Sequence, residues 1–189
     1  MQILGISGSP RLGGNTEMIL KETLSAAAEE GAEVAFISLS DYQLKPCNAC
    51  GTCFETKKCT IQDDSEKLYQ QVVKADGLVL GSPSYFQSVT AQMKTFIDRI
   101  GYLNLARGRK DFKGKVGAAI AVARRSGLAS TWSQMNMFLT ATRMIVPSGG
   151  RVFAVGRGKG EVAKDKEGVE TARYLGKMMV KTIVATKSL

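Results

Sequence analysis

Five short apolar runs alternate with five amphipathic segments along the 189 residues of this chain. Runs such as GLVL at 77–80 are apolar at nearly every position, which is typical of parallel strands covered on both faces. Strict alternation of strand and helix requires right-handed crossovers between parallel strands. The pattern therefore predicts a doubly wound α/β sheet with helices on both faces. The predicted strands are 2–6, 33–39, 77–81, 116–122 and 151–155, and the predicted helices are about 15–30, 63–74, 88–100, 130–142 and 161–186.

The length of the chain favours one of the two common doubly wound strand orders. Five strands in 189 residues suit the flavodoxin-like order 2-1-3-4-5 better than a six-stranded dinucleotide fold. No linker is long enough to separate two domains, so we expect residues 1–189 to form a single domain with a cysteine loop at 46–60. In such a sheet the loops that follow the strands meet at the carboxyl edge, where ligands bind.

Composition excludes several classes of function. The chain has no histidine, which removes Ser-His-Asp triads and the common zinc enzymes. The net charge is +9, and 18 of the 26 basic residues but only 6 of the 17 acidic ones lie at position 95 or later. This basic half indicates an anionic cofactor, an acidic partner, nucleic acid or a solvated face. The chain starts directly with a strand pattern, and no apolar stretch approaches the roughly 18–20 residues of a membrane span, so we expect a cytoplasmic protein with no membrane partner.

The loop after the first predicted strand is rich in glycine and hydroxyl groups. It reads GISGSPRLGGNT at 5–16 and leads directly into a helix. Glycines let backbone N–H groups approach an anion, and the positive N-terminus of a helix attracts phosphate. The spacing matches neither the Walker A motif nor GxGxxG, and an ordinary turn with a helix cap at Asn15 or Thr16 is the alternative. The candidate ligands for a terminal phosphate are Ser7, Ser9, Arg11, Asn15 and Thr16.

Two further loops follow the third and fourth predicted strands and reach the same edge. The loop at 81–88 carries two aromatic side chains, which offer a flat, partly polar ring such as a flavin an apolar surface. Core packing of Tyr85 and Phe86 is the alternative. The cations of the loop at 123–128 either stabilise a reduced flavin anion or face water. The candidate residues for the ring are Pro83, Ser84, Tyr85, Phe86, Arg124, Ser126 and Gly127.

All four cysteines of the chain fall within one short segment. They form the pattern C-x2-C-x2-C-x5-C at 47–59, and such close spacing suits an iron–sulfur cluster better than a framework of scattered disulfides. A [4Fe–4S] cluster takes four thiolates, which would use every cysteine and leave none over. Structural zinc, disulfides and free redox thiols are the alternatives. The predicted cluster ligands are Cys47, Cys50, Cys53 and Cys59.

The loop at 5–16, together with GSPSYFQSVTAQMKTFIDR at 81–99, resembles the NADPH-dependent FMN reductase superfamily of flavodoxin-like proteins. The cysteine motif makes the chain similar, more narrowly, to the iron–sulfur flavoproteins of anaerobes. This resemblance covers essentially the whole chain. It implies that the candidate residues at 5–16 hold the FMN phosphate and that residues 83–86 line the isoalloxazine. It also implies a homo-oligomer, a dimer or a dimer of dimers, with each cluster near a neighbour's FMN.

These features together predict an electron-transfer flavoprotein. A one-electron donor such as an acidic ferredoxin would reduce the cluster, and FMN would pass two electrons to a small-molecule acceptor such as a quinone, oxygen or peroxide. We expect no side chain to act as a catalytic acid or base. The main alternative is an NAD(P)H-dependent FMN or quinone reductase without a cluster. A flavodoxin-like carrier and a nucleic-acid-binding module are disfavoured, because carriers of this fold are usually acidic and no stripe of basic and aromatic residues is present.

Overall fold

A computed structural model describes residues 1–148 and 151–187 of the chain. Its centre is a five-stranded sheet in which every neighbouring pair of strands is parallel, in the order β2-β1-β3-β4-β5. The predicted flavodoxin-like order is therefore confirmed. Strand β2 extends the sheet on one side of β1, whereas β3, β4 and β5 extend it on the other side. The order in which strands are added therefore reverses between β1 and β3, and a crevice opens there beyond the carboxyl ends of the strands. The strands are β1 (Gln2–Ser7), β2 (Glu33–Ser38), β3 (Gly77–Pro83), β4 (Val116–Ala123) and β5 (Arg151–Val155).

Within the described residues, six α-helices accompany the sheet, one more than predicted. The additional helix is α2, a short one inside the cysteine loop. The helices are α1 (Asn15–Glu29), α2 (Thr52–Thr56), α3 (Ser65–Lys74), α4 (Ala91–Ala106), α5 (Leu128–Ala141) and α6 (Lys166–Lys187).

Two helix boundaries differ from the prediction for local reasons. Helix α4 begins at Ala91 because the side chain of Thr90 accepts a hydrogen bond from the backbone N–H of Met93. Helix α6 begins at Lys166 rather than at 161, because residues 161–164 form a separate 3-10 turn. A carboxylate oxygen of Asp165 then accepts the N–H of Gly168 at 3.0 Å and supports the first turn of α6.

The helices divide between the two faces of the sheet. Helices α1 and α6 pack on one face over Ile19, Leu175 and their neighbours, while α3, α4 and α5 cover the other face. Strand β4 is buried along its whole length, as a parallel strand covered on both sides should be. In the part of the chain that the structure describes, no helix combines the length and the hydropathy needed to cross a bilayer.

Backbone hydrogen bonds fasten the loops together at the carboxyl edge. The N–H of Gly8 donates to the carbonyl of Gly81 at 2.8 Å, and the hydroxyl of Thr90 donates to the carbonyl of Gly8 at 2.6 Å. The N–H of Ser84 donates to the carbonyl of Val122 at 2.8 Å. These bonds fasten the loops after β1 and β3 to each other and to the end of β4.

Candidate flavin site and cysteine cavity

A cavity of about 410 Å³ lies at the carboxyl edge of the sheet, where the loops after β1, β3, β4 and β5 meet. Eight of the twelve predicted cofactor-binding residues line it. These eight are Ser9, Arg11, Asn15, Thr16, Pro83, Ser84, Tyr85 and Arg124. Ser7, the last residue of β1, and the loop residues Phe86, Ser126 and Gly127 do not line the cavity.

The β1 loop is shaped by its own hydroxyl groups. The buried hydroxyl of Ser7 accepts from the N–H of Ser9 at 3.3 Å, and the hydroxyl of Ser9 accepts from the N–H of Arg11 at 3.1 Å. Helix α1 follows from Gly14, and among the described residues no side chain caps its N-terminus. The helix cap at Asn15 or Thr16, which the alternative interpretation of this loop requires, is therefore not formed. A phosphate bound here would accept hydrogen bonds from the uncapped backbone N–H groups in the first turn of α1.

The side chain of Asn15 does not cap α1, because its carboxamide forms hydrogen bonds with the loop after β5. The amide nitrogen of Asn15 donates to two carbonyl oxygens of the loop at 156–160, at 3.1 and 2.9 Å, and its oxygen accepts from the N–H of Gly160 at 2.8 Å. These bonds bring Arg157 and Lys159 to the cavity wall. Sequence reasoning missed both cations, although the alternation of glycine with basic residues directly after a strand was a usable signal.

The cavity is strongly cationic. Arg11, Arg124, Arg157 and Lys159 line it, and no carboxylate of the described residues does. Such a set, next to a helix N-terminus, is suited to an anion such as a phosphate.

The loop after β3 turns back on itself at the rim. The N–H of Tyr85 donates to the carbonyl of Ser88 at 2.9 Å, and the reverse bond is 3.1 Å. The residues between them, Phe86 and Gln87, have φ angles of 48° and 65°, which is the left-handed region. Tyr85 is about half exposed and lines the cavity, whereas the ring of Phe86 is fully exposed. The alternative that both aromatics pack in the core is therefore wrong.

The loop after β4 supports this turn. The side-chain amide of Gln87 donates to the hydroxyl of Ser126 at 3.2 Å, and the hydroxyl of Ser130 donates to the carbonyl of Gln87 at 2.6 Å. Gly127 has a φ of +87°, and a Cβ added there would lie 2.1 Å from the hydroxyl oxygen of Ser84. Ser126 and Ser130 thus support the loop at 84–88, called the flavin loop below, and Gly127 leaves room for Ser84.

The four cysteines line a second, smaller cavity of about 120 Å³. Cys53 lies on α2, and the other three lie on the irregular backbone around it. Phe54 and Tyr102 stack edge to face beside the cavity, with ring centroids 6.2 Å apart. All four thiols are free of disulfide bonds.

The four thiols are a donor set of the type that an iron–sulfur cluster takes, and a zinc ion also accepts four thiolates. Burial and then the charges of the three other cysteines raise the pKa of Cys53. Hydrogen bonding to Thr60 lowers the pKa of Cys50. Among the described residues, no three histidine, cysteine, aspartate or glutamate side chains are placed to hold a metal ion, so the fit rests on the type and number of the donors. Four thiols around one cavity are the set that a [4Fe–4S] cluster takes.

A buried arginine, missed by the sequence analysis, lies beside the cysteine cavity. The side chains of Arg99 and Asp63 are each only 1% exposed, and they form an ion pair with N–O distances of 2.5 and 3.0 Å. Arg99 also donates to the sulfur of Cys59 at 3.2 Å. Burial alone would raise the pKa of Asp63, but hydrogen bonds from Arg99 and from the N–H of Lys45 hold it at about 2.

Helix α4 connects the two cavities. Its cap Thr90 holds the β1 loop at the flavin edge, and Arg99 lies against the cysteines. Nine residues of helix separate these two positions, so the cysteine cavity lies roughly 13 Å further along the axis of α4. The two cavities share no lining residue.

Comparisons with known proteins agree with this geometry. Residues 1–159 match the family model described as NADPH-dependent FMN reductase. An iron–sulfur flavoprotein of Methanocaldococcus jannaschii is 40% identical over 195 residues, covering 99% of this chain and 100% of that protein. An iron–sulfur flavoprotein of Archaeoglobus fulgidus is 39% identical over 180 residues, covering 93% of this chain and 77% of that protein.

A solved structure extends the likeness to the whole fold. The structure of RosB with a bound 8-demethyl-8-formylriboflavin-5'-phosphate intermediate aligns with a TM-score of 0.80 at 15% identity, covering 100% of this chain and 81% of RosB. At that identity the likeness supports the fold alone. From the family match and the close relatives, we conclude that the chain belongs to the NADPH-dependent FMN reductase family, and within it to the iron–sulfur flavoproteins, and is an FMN-dependent oxidoreductase.

Proposed function

We propose that this chain transfers electrons from an acidic, ferredoxin-like one-electron donor to a small-molecule two-electron acceptor, using a [4Fe–4S] cluster at the four cysteines and FMN at the cationic cavity. The observation that carries the proposal is the presence of two separate cavities in one chain, one lined by four thiols and the other by four cations. The names of the close relatives, iron–sulfur flavoproteins, support the cluster. Reduced thiols favour a cytoplasmic location.

In this proposal the residues of the chain have defined roles in binding the cofactor and the donor. Ser9, Arg11 and Thr16 would hold the FMN phosphate at the start of α1, and Tyr85 would contact the ring at the rim. The basic second half of the chain would attract the acidic donor. When bound, an iron–sulfur cluster exchanges one electron at a time, whereas a flavin exchanges one or two. Together they would link a one-electron donor to a two-electron acceptor. Overall, two donor electrons and two protons reduce one quinone to a hydroquinone.

The separation of the two cavities within one chain supports an oligomer, since they share no lining residue. Within one chain the cysteine cavity lies roughly 13 Å further along α4 than the flavin edge. Exposed aromatic rings stand beside both cavities, namely Phe86 at the flavin rim and Phe54 and Tyr102 at the cysteines. We propose a dimer or a dimer of dimers in which these surfaces meet, so that the cysteines of one copy approach the FMN of another.

The decisive experiment measures iron, acid-labile sulfide, zinc and FMN per chain in protein purified without oxygen. We expect about four iron, four sulfide and one FMN. Protein that contains FMN but neither iron nor sulfide would contradict the assignment of a cluster to this chain. It would favour the NAD(P)H-dependent FMN or quinone reductase, which the family match and the cations Arg124, Arg157 and Lys159 also support.

Gly127→Ala is expected to weaken FMN binding roughly tenfold. A Cβ at this position would meet Ser84 at 2.1 Å and the backbone of Gln87 at 3.1 Å, so the flavin loop must move. The matched control is Gly108→Ala, because Gly108 has nearly the same φ, +84°, and no described atom lies within 4 Å of its added Cβ. Gly108→Ala therefore introduces the same backbone strain as Gly127→Ala but no steric clash. Titration of the FMN-free chains by flavin fluorescence measures both, and equal affinities would contradict the assignment.

A further inference from the structure

Arg99 is the largest side chain buried in the described part of the molecule, and it is charged. It closes the motif at 81–99, yet it lies away from the flavin cavity and against the cysteines. A buried cation is costly unless every N–H group finds a partner. The contacts that satisfy Arg99 therefore indicate what it does.

The guanidinium joins the two ends of the cysteine loop. One of its terminal nitrogens donates to the carbonyl of Lys45 at 2.6 Å, just before the first cysteine. Both terminal nitrogens donate to Asp63, which follows the last cysteine. Asp63 in turn accepts from the N–H of Lys45 at 2.9 Å. Arg99 and Asp63 thus fix residues 45 and 63 to each other and to helix α4.

The same guanidinium also reaches a sulfur. Its second terminal nitrogen donates to Ser65 at 2.8 Å and to the sulfur of Cys59 at 3.2 Å. Cys59 is the cysteine separated from the others by five residues, so its place depends most on support from outside the loop. The sulfur of Cys59 is thus an acceptor in addition to Asp63, the carbonyl of Lys45 and the hydroxyl of Ser65.

We propose that Arg99 is a positioning residue that holds Cys59 towards the cavity and donates a hydrogen bond to its sulfur when the cluster is bound, an inference that rests on the proposed function. Hydrogen bonds to cluster sulfurs and nearby positive charge stabilise the reduced, more negative state and so raise the reduction potential. Arg99 therefore contributes both to retention of the cluster and to its potential.

The test compares Arg99→Lys with the wild type in anaerobically purified full-length protein. Lysine keeps a positive charge beside Asp63, but it lacks the planar guanidinium of arginine, which also reaches the sulfur of Cys59. We expect the cluster potential, measured by spectroelectrochemical titration, to become more negative, and iron loss to a chelator to become about tenfold faster. FMN per chain should stay unchanged. The matched control is Arg173→Lys, which alters an arginine–carboxylate pair on α6, on the other face of the sheet.

A second variant keeps the test valid if Arg99→Lys does not fold. Arg99→Met combined with Asp63→Leu removes both buried charges together, which proteins tolerate better than a single unpaired charge. It is expected to shift the potential in the same direction. Wild-type potential and chelator resistance in a folded variant that carries the full cluster would overturn the proposal.

A third readout does not require the cluster. In the cluster-free chain, trypsin cleavage after Lys57 and Lys58, mapped by mass spectrometry, reports how firmly the cysteine loop is held. We expect cleavage there to be several-fold faster in Arg99→Lys than in the wild type or in Arg173→Lys. If wild-type protein takes up no iron and sulfide, the proposed function fails, and this readout alone decides whether Arg99 holds the loop. Equal cleavage rates would then overturn the proposal.

Discussion

Asp63→Ala is expected to lower the free energy of unfolding by about 3–5 kcal/mol, because it leaves the buried charge of Arg99 without its partner. That is a large part of the total stability of a domain this size. The substitution also removes the acceptor for the N–H groups of Lys45 and Ser65. Urea unfolding of the cluster-free chain at neutral pH measures the loss, as a lower midpoint at an unchanged slope.

Glu29→Ala is the matched control for this stability prediction. It also removes a carboxylate from an arginine, but Glu29 and Arg173 are both partly exposed, so the expected loss is small. Combining Asp63→Leu with Arg99→Met should recover part of the loss, since the unpaired charge is gone while two backbone N–H groups stay unsatisfied. Similar small losses in Asp63→Ala and Glu29→Ala would show that the buried pair contributes little.

The same pair gives the stability a definite pH dependence. The pKa of Asp63 is about 2 in the folded chain, below its ordinary value of 3.8. A depressed folded pKa means that the contribution is complete above the ordinary value and is lost as the pH falls from about 4 to about 2. The wild type should lose roughly 2 kcal/mol in this window through Asp63, and Asp63→Ala should lack that component.

The fold could be predicted from the sequence because the strands are almost continuously apolar. Strand β3 was expected at 77–81 and is found at Gly77–Pro83. Helix α4 was predicted to end at 100 but continues to Ala106, because Leu103 and Ala106 extend its buried face past Gly101. A glycine inside a helix costs only about 1 kcal/mol relative to alanine, which burial of these side chains offsets.

The parts of the candidate sites that escaped prediction depend on contacts between distant segments. Arg157 and Lys159 reach the flavin cavity only because Asn15 binds their loop across more than 140 residues of sequence. Arg99 looks like an ordinary helix cation until the fold brings Asp63 and Cys59 against it. Local motifs indicate which loops carry the chemistry, whereas such pairings depend on the packing of the whole chain.

Cys50→Ala is expected to abolish iron and sulfide binding while FMN stays at about one per chain. Cys50 is exposed and is not part of the buried core, so its loss removes a cluster ligand without opening a cavity in the fold. A [4Fe–4S] cluster needs all four thiolates, and the chain has no fifth cysteine to replace it. Iron, sulfide and FMN assays on anaerobically purified protein, with circular dichroism as the check on folding, measure the effect.

Arg11→Ala is the complementary variant, and it is expected to weaken FMN binding roughly tenfold to a hundredfold while iron stays at the wild-type level. Removal of a charged hydrogen-bond donor from a phosphate costs about 1.5–3 kcal/mol. Arg11 lines the flavin cavity and not the cysteine cavity, so the cluster should not respond to its loss. If each variant lost both cofactors while remaining folded, the two cavities would not be separable sites, and the assignment of one cofactor to each would be wrong.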